Sequence, residues 1–172
     1  MSDYEANNRS DVKDRRIRKT RAALKKSLTT LLQHKNVKDI SVKELTDLAD
    51  VNRGTFYLHY KDVFDLLEQS EQDLLDEFSE VIKGIPADTI KNNRAEIFVK
   101  VYTLCKENAD LVRILLGENG DIKFLNGINT FLKEACLKDW SPYLKQVEIN
   151  QFDAFFSFLV GGCCSLLQYW FS

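Results

Sequence analysis

With 172 residues, 44% of them hydrophobic, the chain can bury one good core, or a small module fused to a larger one. A net charge of −2 would argue against a nucleic-acid partner, but residues 1–61 hold 14 Lys and Arg against 8 Asp and Glu, and the remainder holds 10 against 18. A basic N-terminal part joined to an acidic remainder suits a DNA reader carried on a body that does not bind DNA, because phosphate neutralisation supplies most sequence-independent affinity.

Residues 1–14 are polar and charged with no apolar core segment, so no secretory leader is expected and the cytoplasm is the default compartment. Residues 1–12 lack apolar periodicity and read as a disordered tail. From about Asp14 to His34 the pattern is helical: Ile17, Leu24, Leu28, Leu31 and Leu32 form one apolar stripe. Arg15, Arg16, Arg18, Lys19, Lys25 and Lys26 crowd its start and other faces, within reach of a phosphate backbone or simply solvated.

Ser41 to Lys61 reads as two short helices with a tight join. Ser41 and Glu44 fit a capping box, in which the serine hydroxyl takes the amide three residues on and the glutamate reaches back. Val42, Leu45, Leu48 and Ala49 then recur at helical spacing up to Asp50, a residue type that tolerates the left-handed turn. Asn52 is the next natural N-cap, and a second helix carries Arg53 to Tyr60. Two such helices match the helix-turn-helix motif, whose second helix enters the DNA major groove. Arg53, Gly54 and Thr55 occupy its first turn, where Arg53 can pair with guanine and Thr55 with a thymine methyl or a base acceptor. Ser41 at a helix N-terminus and Lys43 are candidate phosphate contacts, whereas Phe56 and Tyr60 read as core residues that hold the helix in place.

The run Val51-Asn52-Arg53-Gly54-Thr55-Phe56-Tyr57-Leu58-His59-Tyr60-Lys61, followed by Asp62-Val63-Phe64-Asp65-Leu66-Leu67, resembles the TetR family of bacterial transcription regulators. Ser27 to Val42 lies in register with the family's first helix and following loop, so the resemblance covers roughly residues 14–67. Thr46, Asp50 and Asn36 depart from the family's usual Ala, Gly and Gly; Asp and Asn can adopt the backbone shape that Gly supplies. The resemblance implies that Tyr57, His59 and Lys61 bind phosphate.

After Lys61 a long helix is expected, capped by Asp62, with Val63, Leu67, Leu74, Phe78 and Val81 on one face and an end near Gly84 before Pro86. It begins in the DNA module and ends in the body, so it links the two mechanically. The domain division is therefore a helix-turn-helix domain at 13–61 and a helical regulatory and dimerisation domain at 62–172. From Ala87 on every periodic signal is helical. Ile97, Val101, Leu104 and Cys105 mark one helix, Leu111 to Leu116 a short one closed by Gly117 to Gly120. Phe124, Ile128, Phe131, Leu132 and Ala135 mark a third, broken before Pro142, and the last runs from about Val147. The fold class is all-α.

From Ala154 to Ser172 nineteen residues pass without a charge. A membrane span needs about twenty, but Ser157, Gly161, Gly162, Ser165 and Gln168 interrupt this run and no basic residue follows it, so no membrane association is expected. A helix apolar on all sides can instead be buried between its own core and a second subunit. The family resemblance implies that late helices of two subunits pack as a four-helix bundle, a homodimer seam for which Phe158, Gly161, Gly162, Ser165 and Tyr169 are the candidates. Many relatives continue beyond such a helix, so part of the usual end is expected to be missing.

His34 and His59 are the two histidines, and no nucleophile elbow, phosphate-cradling glycine loop or paired metal-ligand spacing is present, so neither an enzyme nor a metal or other cofactor is expected. Cys105, Cys136, Cys163 and Cys164 lack a CxxC spacing. The vicinal pair Cys163 and Cys164 reads as inert buried thiols in apolar, helical surroundings. The reading is a dimeric regulator of double-stranded DNA, most simply a repressor on a palindromic operator. By resemblance it is released by a small apolar or aromatic effector walled by Phe98, Tyr102, Leu115, Phe124, Phe131, Phe155 and Phe156, although aromatics at helical spacing also serve as plain core. An activator, or a regulator controlled by a protein partner, remains the alternative; a membrane-tethered regulator and an enzyme are weaker ones.

Overall fold

Apolar residues recurring every three or four positions make helices that need partners, and the computed structural model shows this for residues 2–84, 94–117, 124–130, 133–134 and 149–171, the residues described below. Among them every regular element is a helix. The chain divides into two compact units, Met1–Ser70 and Glu71–Ser172.

The N-terminal unit contains α1 (Ser2–Leu32), a 3-10 turn (Val37–Asp39), α2 (Val42–Ala49), α3 (Arg53–Tyr57) and the first turns of α4 (Val63–Lys83). Its core is Leu24 and Leu28 of α1, Ile40, Leu45 of α2, Phe56 of α3, Tyr60, and Val63 and Leu66 of α4. Because Val63, Leu66 and the partly buried Leu67 pack into this core, the unit runs on to Ser70, past the boundary expected at residue 61. The segment expected as a tail also differs: from Ser2 on it continues α1. Extending a helix already nucleated needs only one residue fixed per hydrogen bond, so a polar sequence can follow without an apolar stripe of its own.

Local chemistry accounts for the joins. Ser41 caps α2, its Oγ accepting from the Glu44 amide at 3.1 Å. The return half of the capping box is not made; the Glu44 carboxylate instead pairs with Lys35, tying α2 to the chain that precedes it. Asp50 ends α2 in the left-handed region at φ 52°, ψ 44°. The Val51 amide bonds to the Thr46 carbonyl at 3.0 Å and the Asp50 amide to that of Asp47 at 3.4 Å, which satisfies two carbonyls left over at the helix end. The buried Thr46 hydroxyl donates to the Val42 carbonyl at 2.8 Å, so the departure from Ala leaves no unpaired polar group. Asn36, by contrast, sits at φ −77°, ψ 149° and heads the 3-10 turn in extended form, so no left-handed residue is needed there.

Asp50 yields a prediction. The left-handed conformation costs a β-branched residue about 1–2 kcal/mol and glycine almost nothing. Asp50→Gly is expected to match or exceed the wild-type melting temperature, and Asp50→Val to melt several degrees lower, as read by circular dichroism.

At the head of α4, Asp62 Oδ1 accepts from the Asp65 amide at 2.8 Å. Asp65 returns the favour in the manner of a capping box, its Oδ2 accepting from the Lys61 amide at 2.7 Å and its Oδ1 from Gln69 Nε2 at 3.0 Å. Those hydrogen bonds, Gln69 first and the Lys61 amide second, with the Lys61 charge adding to them, hold the Asp65 carboxyl below its ordinary value of 3.8. A lowered folded-state value means stability that is present above the ordinary value and is lost as pH falls through the folded one. Asp65→Asn is therefore expected to melt below wild type at pH 7, the gap closing as the buffer is taken below about pH 4.

In the C-terminal unit the later turns of α4 join α5 (Arg94–Glu107), α6 (Ala109–Leu116), a helical stretch at 124–130 and α7 (Ile149–Phe171). Among the described residues, Leu74, Phe78, Leu104, Cys105, Leu111, Val112, Leu115, Leu116, Phe124 and Phe156 are buried apolar side chains of this unit. Gly117 closes α6 because a Cβ there would lie 2.8 Å from the Arg113 carbonyl oxygen. The Leu116 carbonyl at that end accepts from Gln168 Nε2, which fastens α7 to α6. Tyr102 of α5 meets Trp170 of α7 edge to face at 4.8 Å. Among the described residues no helix is long and apolar enough to cross a membrane. Pro86, Cys136 and Pro142 lie outside the described residues.

Candidate nucleic-acid interface

The reading helix is shorter than its sequence pattern. α3 ends at Tyr57, and Leu58 and His59 form a turn in which the Phe56 carbonyl accepts from both the His59 and the Tyr60 amides, at 2.9 and 3.0 Å. The Tyr60 ring, four residues on, lies beside Phe56 with centroids 5.7 Å apart, and both rings are buried as core. Tyr60 also receives Arg21 of α1 over its face, at 6.0 Å. Phe56 and Tyr60 thus fasten one side of α3 to the unit and leave its other side outward.

Asn52 caps α3, its Oδ1 accepting from the Gly54 amide at 2.7 Å. A Cβ on Gly54 would come within 3.2 Å of that same oxygen, so glycine keeps the cap tight as well as the helix surface low. Arg53 and Gly54 are exposed and Thr55 is half-buried. Of the phosphate candidates, Ser41, Lys43, Tyr57 and Lys61 are exposed and His59 is half-buried with its ring 6.2 Å from that of Tyr60. Gly54 lies opposite Phe56 on α3, and Arg53 and Tyr57, four residues apart, stand side by side next to it; all three are exposed, so guanidinium, bare backbone and phenol are presented together. On α1, Arg15, Arg16, Arg18, Lys19 and Lys26 are exposed, while Lys25 is half-buried.

Sequence reasoning passed over Leu58. Its side chain is 80% exposed, more than any other large apolar side chain among the described residues. The signal was available: in a helix with Phe56 and Tyr60 inward, the residue between Tyr57 and His59 must point out.

In the C-terminal unit the proposed effector walls are spread differently. Leu115, Phe124 and Phe156 are buried core, and Tyr102 is partly exposed against Trp170; the side chains of Phe98 and Phe155, and Phe131 altogether, lie outside the described residues. An open recess of about 490 Å³ is lined instead by Asp73, Asp76, Glu77, Glu80, Val81 and Leu104, with Glu77 accepting from Asn108 Nδ2 at 3.0 Å. On α7, Phe158 and Tyr169 are 75% and 78% exposed, and Gly161, Gly162 and Ser165 are exposed with them. A Cβ added at either glycine would meet nothing within 4 Å. These five positions recur at helical spacing and make one outward stripe.

The cysteines correct an expectation. Cys105 is buried, but Cys163 is exposed and Cys164 only half-buried, since they fall on the part of α7 that the unit does not cover. Burial, with Cys164 nearby, pushes the Cys105 thiol up to about 11, and burial raises Cys163 and Cys164 too.

Residues 92–172 match a family model described as the transcriptional regulator C-terminal region, of TetR type. The chain is 36% identical over 53 residues to the uncharacterized HTH-type transcriptional regulator YxbF of Bacillus subtilis (strain 168), a match that covers 31% of this chain and 14% of that protein. Its fold is similar to that of a TetR transcriptional regulator from Streptococcus agalactiae 2603V, with 28% identity, 94% of this chain and 87% of the other covered, and a TM-score of 0.61. The dihydroxyacetone kinase operon activator DhaS shares the fold at 16% identity and a TM-score of 0.57, over 88% of this chain and 84% of the other.

Proposed function

The chain belongs to the TetR family of transcription regulators, and from that premise we propose that it is a repressor that binds a palindromic operator as a homodimer and is released by a small apolar or aromatic effector. Its work is regulatory binding, as the family implies, and not catalysis. The observation that carries the DNA-reading part is the outward first turn of α3. Arg53, Gly54 and Thr55 stand over an Asn52 cap, with Phe56 and Tyr60 buried behind them.

Each part has a role set by its chemistry. Arg53 offers paired donors to a guanine, Thr55 a hydroxyl and a methyl to a base edge, and Gly54 lets the backbone close on the duplex. Ser41, Lys43, Tyr57, His59 and Lys61 fix the register by contacting phosphates on either side. Two copies joined along the α7 stripe of Phe158, Gly161, Gly162, Ser165 and Tyr169 would present two reading helices, so half-sites about one helical turn of DNA apart or a multiple of it are expected. The small side chains in that stripe permit close backbone approach, and the aromatics supply the area to bury. An effector held among Phe98, Tyr102, Leu115, Phe124, Phe131, Phe155 and Phe156 would act through α4, by binding more tightly to the form whose reading helices no longer match the grooves.

The second reading is an activator or a regulator controlled by a protein partner. DhaS, which shares the fold and is an operon activator, favours it.

Sedimentation of the purified chain without detergent, alone and with a duplex selected from random DNA, tests the proposal. Dimers in solution and two chains per duplex are expected; a monomer that occupies DNA one chain at a time would overturn it.

A further inference from the structure

Leu58 stands out because nothing of the N-terminal unit explains its position. It follows α3 directly, its amide bonding to the Thr55 carbonyl at 3.3 Å, and its side chain is 80% exposed while Phe56 and Tyr60 on either side are buried. It lies four residues after Gly54 and three after Thr55, hence one turn above both on the outward side of α3. Gly54 has no side chain to cover it, and Leu58 and the 53% exposed Tyr57 are the large apolar side chains left open on that side. Arg53 and Lys61, before and after it in the chain, are both exposed.

A branched aliphatic side chain can neither donate nor accept a hydrogen bond. In a major groove the one base-edge feature that rewards such a group is the C5 methyl of thymine; every other edge offers polar donors and acceptors that Leu58 would strip of water. The flanking cations and the basic balance of residues 1–61 favour DNA over an apolar protein as the occupant of this surface.

We propose that Leu58 is a specificity-determining residue that reads a thymine methyl in each operator half-site. The inference rests on the DNA-reading assignment of α3 and adds a base preference to it. Arg53 and Thr55 would select bases at the N-terminal end of the helix, and Leu58 would demand a thymine towards its C-terminal end.

The test uses duplexes that the wild-type chain enriches from random DNA, with each thymine replaced in turn by deoxyuridine, which removes the methyl and keeps the pairing. Fluorescence anisotropy is expected to show one symmetry-related thymine pair at which this replacement weakens wild-type binding about three- to tenfold. Leu58→Ala, whose side chain leaves no hole in the core, should bind the unmodified duplex more weakly by a similar factor and be indifferent to deoxyuridine at that pair alone. Leu58→Gln should behave alike, and circular dichroism should show both variants folded. Leu58→Ala that keeps wild-type affinity, or that loses affinity while still distinguishing thymine from deoxyuridine everywhere, overturns the proposal and leaves the DNA-reading assignment standing. A wild-type chain that enriches no sequence overturns both.

Discussion

Phe56→Ala is expected to destabilise the N-terminal unit by about 3–5 kcal/mol, the range for removing a fully buried aromatic ring from a core. Phe56 has no exposed surface and packs among Leu24, Leu28, Leu45, Tyr60 and Leu66. The loss goes beyond the transferred area because the five-residue α3 has no stability of its own; isolated helices shorter than about 12 residues are marginal in water. With the ring gone, α3 loses its main anchor and Tyr60 one of its ring neighbours. Thermal denaturation of the purified variant, with hydrogen exchange at the amides of α2 and α3, should show that loss concentrated in residues 41–66. Phe56→Leu, which keeps most of the volume, should recover more than half of the difference. A variant at Phe56 with unchanged melting would mean that α3 is held by something other than this core.

Arg53→Ala is expected to leave folding intact and to weaken binding to the selected operator by about tenfold or more per half-site, since a good guanidinium–guanine pair is worth about 1–3 kcal/mol of discrimination. Its side chain is exposed and at the first position of α3, so truncation opens no cavity. The same change should relax the preference at one base pair of each half-site, because base contacts carry sequence information. Tyr57→Ala should instead weaken all sequences nearly alike, the signature of a phosphate contact. Gel shifts on operator and scrambled duplexes at one fixed salt concentration separate the two. Both variants at full affinity would remove α3 from the interface.

Much of this was legible in the sequence, and for identifiable reasons. Caps and turns are short-range chemistry, so Ser41, Asn52 and Asp62 could be assigned as N-caps and Asp50 as the left-handed residue, and each does that in the structure. The inward roles of Phe56 and Tyr60 followed from the burial preference of large aromatic side chains, and both are buried. What could not be read off depended on partners far along the chain. Glu44 was free to reach back to Ser41, and only the arrival of Lys35 decided otherwise. α3 looked as if it could run to Tyr60, yet it ends at Tyr57, and the Phe56 carbonyl takes both the His59 and the Tyr60 amides. Asn36 stood where glycine is usual, but α1 stops at Leu32 and the next residues turn without a positive φ at Asn36.

The C-terminal unit was less legible, because its long apolar runs did not say which side would be covered. Leu115, Phe124 and Phe156 went to the core, as aromatics and leucines at helical spacing usually do, whereas Phe158 and Tyr169 on the same kind of pattern were left outward. Cys163 is exposed as well. An uncharged helix announces that it is buried somewhere, and the sequence alone does not say whether its own subunit or another does the burying.

Enrichment of DNA from a fully random pool by the wild-type chain, run in parallel with the Arg53→Ala, Tyr57→Ala double variant, measures the central claim most directly. The account predicts that wild type enriches inverted repeats whose half-site centres lie about one helical turn apart, or a multiple of it, and that the double variant enriches none. Enrichment of the same sites by both proteins, or of sites without two-fold symmetry, would contradict it.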